Sequence, residues 1–147
     1  MDAIFNLVST KNNILKELKS ILPTLDFKAE LSDDGQILII SAHNCSLKGL
    51  DDDIAIFLEC SSGGMAYLEL IFDKINKTSF VLELINQFNL SQRYFRWYIG
   101  EDNYLILDNN FAIYNEKEFN NQVLEFLSRA VNLKENPVFQ QLTMITR

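Results

Sequence analysis

At 147 residues, with 48% hydrophobic and 22% charged side chains and a formal net charge of -7, the chain has the balance of one globular domain spanning residues 1–147. The acid excess argues against a nucleic-acid partner, because duplex binding depends on Lys and Arg neutralising phosphates, and against an anionic membrane surface. No stretch approaches the roughly 18 apolar residues of a membrane span, and Met1-Asp2-Ala3-Ile4-Phe5 lacks the positive n-region and apolar core of a secretory signal, so a cytoplasmic location is expected.

From Ala3 to Leu22, apolar residues at Ile4, Leu7, Val8, Ile14, Leu15, Leu18, Ile21 and Leu22 trace one face of an amphipathic helix, which Pro23 closes. Phe27–Leu31 and Gln36–Ala42 read as a hairpin about Asp33-Asp34-Gly35. Residues His43 to Asp53 form a polar connection. Ile54–Cys60 and Met65–Asp73 make a second hairpin about Ser61-Ser62-Gly63-Gly64, where glycine permits positive φ. Cys45 and Cys60 are too few for a disulfide framework and form no CxxC, so both are expected reduced.

A helix starting near Asn76 carries Val81, Leu84, Ile85 and Phe88 on one stripe, with Asn89 as its stop. Arg93–Ile99 and Tyr104–Asp108 are strands about Gly100-Glu101-Asp102-Asn103, and Phe111–Tyr114 is a short extension. Asn115, three residues before Glu118, caps a helix that buries Phe119, Val123, Phe126, Leu127 and Ala130. Pro137 lies beyond that helix, and the tail from Val138 to Arg147 reads as one more helical turn or as frayed chain. The expected fold is α+β: a predominantly antiparallel sheet with helices on one face, in the order α-β-β-β-β-α-β-β-α. Richness in Asn, Lys and Ile suggests an AT-rich bacterial or phage source.

That order, with Leu84-Ile85-Asn86 on the middle helix, the aromatic strand Tyr94-Phe95-Arg96-Trp97-Tyr98, and Tyr104-Leu105-Ile106-Leu107 leading into Glu118–Ala130, resembles the YbjN-like family, which shares the fold of type III secretion chaperones. The resemblance covers Phe80 to Asn132 and is topological before that. It implies a dimer-prone α+β domain without catalytic residues, a regulator or chaperone-like module. It carries no functional residues across.

Catalytic and metal motifs are missing from the sequence. His43 is the single histidine and has no second ligand four residues on; Ser41 and Cys45 beside it lack a nucleophile context. Asp33-Asp34 and Asp51-Asp52-Asp53 lack EF-hand spacing, and Gly63-Gly64 is not followed by Gly-Lys-Ser/Thr. Glu101-Asp102 reads as a solvated turn. No cofactor and no metal are expected.

Strand alternation yields more. Phe95, Trp97 and Ile99 form one face of their strand, and Tyr94, Arg96 and Tyr98 the other; the first is the core face, because Arg96 must keep its guanidinium hydrated or paired. Ile54, Ile56, Leu58, Ala66, Leu68, Leu70 and Phe72 make the core set of the preceding hairpin, opposite Phe57, Glu59, Tyr67, Glu69 and Ile71. Tyr104 and Ile106 join the second face. Phe57, Tyr67, Tyr94, Arg96, Tyr98 and Tyr104 are therefore the candidate protein-interface residues, since Tyr and Arg anchor interfaces. The alternative is an ordinary outer sheet face, or one covered by the first helix or the tail. The expected function is a non-enzymatic interaction or chaperone-like module that binds a protein partner or, as a homodimer, itself. The alternative function is an immunity or antitoxin-type inhibitor that opposes a basic toxin with Asp51-Asp52-Asp53 and Glu101-Asp102.

Overall fold

A computed structural model describes residues 14–42, 54–61 and 63–145. Helix α1 covers residues 14–21 and runs into a 3-10 turn, Leu22–Leu25, that holds Pro23 and ends at Asp26 with φ 66. Six strands follow the chain as β1 (Phe27–Leu31), β2 (Ile37–Ala42), β3 (Ile54–Cys60), β4 (Met65–Lys74), β5 (Arg96–Ile99) and β6 (Tyr104–Ala112). The remaining helices are α2 (Ser79–Ser91), α3 (Glu116–Asn132) and α4 (Pro137–Ile145). The expected first turns of the N-terminal helix, the 43–53 connection with His43, Cys45 and Asp51-Asp52-Asp53, and the last two residues of the tail lie outside the described residues.

The strands form one antiparallel sheet in the order β1-β2-β3-β4-β6-β5. Local chemistry sets the three described hairpin turns. In the β1–β2 turn Gly35 takes φ 71, and Asp34 Oδ1 accepts from Ser32 Oγ at 2.7 Å and from the Gln36 amide at 3.0 Å. In the β3–β4 turn Gly64 takes φ 83 and the Ser61 amide donates to the Met65 carbonyl at 2.8 Å. Between β5 and β6, Asp102 and Asn103 adopt φ 61 and 65, a region these residue types tolerate.

Capping fixes the helix starts. Thr78 Oγ1 accepts from the Val81 amide at 3.2 Å, and Asn115 Oδ1 accepts from the Glu118 amide at 2.8 Å. The tail is a packed helix. Asn136 Oδ1 accepts from the Val138 and Phe139 amides at 3.0 and 3.1 Å, Pro137 takes the first helical position, and Phe139 and Leu142 are fully buried.

The four helices among the described residues bury their apolar stripes in one core, against the same side of the sheet. Leu15, Leu18, Val81, Leu84, Phe88, Phe119, Val123, Phe126 and Phe139 meet Leu38, Ile40, Ile56, Leu58, Leu68, Leu70, Trp97, Leu105 and Leu107. The α+β class and the one-sided helix layer stand as expected. At its centre Trp97 lies 5.2 Å from Phe72, 5.7 Å from Phe88 and 5.6 Å from Phe139, centroid to centroid.

The outer edge of β5 is closed by side chains. The Trp97 amide donates to Asn89 Oδ1 at 2.9 Å and the Trp97 carbonyl accepts from Asn89 Nδ2 at 3.1 Å. Gln92 repeats the pattern on Phe95, at 2.7 and 2.6 Å. Two amides of the α2 C-terminal end thus pair with the backbone as a neighbouring strand would.

Candidate functional site

The sheet face away from the helices has no element over it among the described residues. Its composition follows from the pleat: where Leu38, Leu58, Leu68, Leu70, Trp97 and Leu107 point inward, their neighbours point outward. Tyr67, Ile71 and Tyr104 remain 39%, 43% and 38% exposed, while Ile37, Ile39, Phe57, Glu69, Tyr98 and Ile106 are half-buried by one another. Lys28 and Glu30 are exposed on β1, whose alternate residues Phe27, Ala29 and Leu31 pack on the core.

Register turns these residues into rows. One row crosses the whole sheet as Glu30, Ile39, Phe57, Glu69, Asp108 and Arg96. Beside it on one side run Ile37, Glu59, Tyr67 and Asn110. On the other run Ile71, Ile106 and Tyr98.

Glu69 and Asp108 stand directly opposite each other, an arrangement that repels when both are ionised. Arg96 relieves it from the far side. Its Nε and Nη2 donate to the two Asp108 oxygens at 3.2 and 2.8 Å, and Asp108 is only 8% exposed. The Tyr98 hydroxyl donates to Glu69 Oε2 at 3.2 Å, and the Arg96 guanidinium lies 5.1 Å from the Tyr98 ring centroid. Burial, then the negative charges of Glu69 and Asp108, push the Tyr98 phenol up to about 12, so it holds its proton and remains a donor. The hydrogen bond and charge of Asp108 raise Arg96 further above its ordinary value. The result is an ordered polar strip between apolar rows.

Five of the six expected interface residues share this face: Phe57, Tyr67, Arg96, Tyr98 and Tyr104. Lys74 Nζ lies 5.4 Å from the Tyr104 ring centroid. Tyr94 does not belong with them. Strand β5 begins at Arg96, and the chain bends through Arg93 and Tyr94 while Gln92 holds Phe95, so two-residue alternation does not reach Tyr94. Its ring lies on the helix side instead, 6.4 Å from Phe126 and 4.4 Å beneath the Arg129 guanidinium. There Tyr94 borders a shallow depression of about 240 Å³ with Gln92, Arg129, Asn132 and Asn136. Burial and Glu125, opposed by Arg129, push its phenol up to about 12 as well.

Sequence reasoning misses Asp108, the partner of Arg96 on this face, because the pattern marks it as the end of its strand; β6 in fact continues to Ala112. The covering of the face by the first helix or the tail is also excluded for the described parts of both, since Leu15, Leu18, Phe139 and Leu142 are buried in the core. Among the described residues, no group of three or more His, Cys, Asp and Glu side chains could hold a metal ion, and no helix is long and apolar enough to cross a membrane. Comparison with protein-family models, curated proteins and solved structures finds no match. The surface itself must carry the reading.

Proposed function

We propose that the protein is a non-enzymatic, cytoplasmic protein-interaction module that uses the open face of its sheet as the binding surface, in keeping with the chaperone-like role that the YbjN-like resemblance implies. The observation that carries it is the exposure of Tyr67, Ile71 and Tyr104 on a sheet face whose other side is sealed by helices. Aromatic and aliphatic side chains around a held Arg give the mixture of apolar anchor and polar orientation found at protein interfaces. Ile71→Glu and Tyr67→Glu place charge on exposed positions, so the far-UV circular dichroism should stay unchanged. Each should weaken association with protein, read by light scattering for self-association, by at least ~10-fold. Unchanged association in both variants would remove the face from the function.

A second reading, an inhibitor of a basic toxin, draws on the net charge of -7 and on the exposed Glu101 and Asp102 at the β5–β6 turn. Binding of that kind should weaken steeply as salt rises and should be lost in Glu101→Lys. The open-face reading predicts little response to that change.

A further inference from the structure

We infer that the open face is covered by a second copy of this chain, packed face to face about a two-fold axis that runs along the strands between β3 and β4. The inference rests on reading that face as the binding surface and adds the occupant and its orientation. A half-turn about this axis exchanges β3 with β4, β2 with β6, and β1 with β5, given the strand order. The long row carries an acid at one end and a base at the other, Glu30 on β1 and Arg96 on β5. Each Glu30 therefore lies over the partner's Arg96, twice in the dimer.

Arg96 is equipped for a second carboxylate. Asp108 takes one N–H from Nε and one from Nη2, leaving three of the five guanidinium donors, on a side chain that is 62% exposed. In the adjoining row Glu59 faces the partner's Tyr67, a carboxylate against a phenol donor. In the third, Lys28 faces the partner's Tyr98, a cation over an aromatic ring. The inner carboxylates already have partners within the protomer, Asp108 in Arg96 and Glu69 in Tyr98, so burial under Ile39 and Phe57 leaves neither without a hydrogen bond. The other in-plane axis, perpendicular to the strands, sets Arg96 on the partner's Arg96 and Glu30 on the partner's Glu30. Like charge on like charge decides between them.

Size agrees. Six strands at the usual spacing make a plane about 24 Å across, and six residues of strand add about 20 Å in the other direction. That is a projected area of roughly 480 Å², with a larger accessible one, on the scale of the ~800 Å² per partner of a standard interface. Twisted sheets stack in this aligned manner at about −30°.

Charge exchange between two chains tests the orientation. Glu30→Lys alone sets the introduced ammonium against the partner's Arg96 at both contacts. Arg96→Glu alone sets the introduced carboxylate against the partner's Glu30 at both. Each should weaken the dimer at least ~10-fold in sedimentation equilibrium. Mixed in equal amounts, the two chains regain complementary charge at both contacts between protomers and should form a heterodimer at least ~10-fold tighter than either homodimer, short of wild-type affinity because Asp108 of the Arg96→Glu chain has lost its own partner. Failure of the mixture to dimerise, with both chains folded by circular dichroism, overturns the arrangement. Should Arg96→Glu not fold, a spin label on Glu30→Cys in a Cys45→Ser background still decides. Two labels are expected ~26 Å apart from strand and sheet spacings, and a distance under ~15 Å (β1 edges abutting) or above ~40 Å overturns the arrangement. A wild-type chain that remains monomeric in light scattering, while its face still captures another protein, sinks the second-copy occupant and spares the reading of the face.

Discussion

Tyr98 shows how much one side chain on the open face is asked to do. It donates to Glu69, lies beneath Arg96 and packs beside Ile106, its cross-strand neighbour. With Tyr94 it should deprotonate well above the ordinary tyrosine range near 10, at about 12. In absorbance titration of the folded protein, Tyr98→Phe should therefore delete one late-titrating phenol. The linkage has a definite sign. Between the unfolded and folded values the native state holds more protons, so this contribution to stability is complete below about pH 10 and disappears as pH rises towards about 12. Residue-level alternation is readable in the sequence wherever a true strand exists, as Leu58, Leu68, Leu70 and Trp97 attest. At Tyr94 it fails because the rule presupposes extended backbone and the chain is bent there. Asp108 is hidden for another reason: its partner Arg96 is set by hairpin register, which a single strand does not display.

At the scale of elements, Asn89 and Gln92 decide how β5 meets its surroundings. The sequence pattern marks Asn89 as a helix stop; it is instead the side chain that pairs with Trp97 while α2 continues to Ser91. No local pattern announces this, because the bonds join a helix end to a strand that follows it. Replacing both amides, in Asn89→Ala with Gln92→Ala, leaves the Phe95 and Trp97 backbone groups exposed along the free edge. The double variant should form larger assemblies with rising concentration in light scattering, an edge-to-edge mode distinct from the face-to-face dimer. If its assembly state matches wild type, the amides are not what protects the edge. The opposite lesson comes from α4. Asn136-Pro137 carries the signature of a helix start, a capping side chain followed by the residue that suits the first position, yet proline so soon after α3 reads by itself only as a terminator.

For the molecule as a whole, α4 ties the described C-terminal end into the same core as the sheet. Phe139 contacts both Phe72 and Trp97. Phe139→Ala should cost about 3–5 kcal/mol in chemical denaturation, followed through the fluorescence of the single tryptophan, and unfolding should remain one transition. A loss under about 1 kcal/mol would mean that α4 is dispensable for that core. The overall class is legible because the six strands and the helices before α4 announce their period. Strand order is not, since the insertion of β6 between β4 and β5 is a long-range choice. The pairing at Asn89 also bears on how the protein ages. Spontaneous deamidation there would retain an oxygen for the Trp97 amide but replace the nitrogen that serves the Trp97 carbonyl, turning attraction into repulsion at that atom. A stored sample would then accumulate a chemically altered fraction prone to stick, and peptide mapping of aged material should find aspartate at position 89 concentrated in the aggregate.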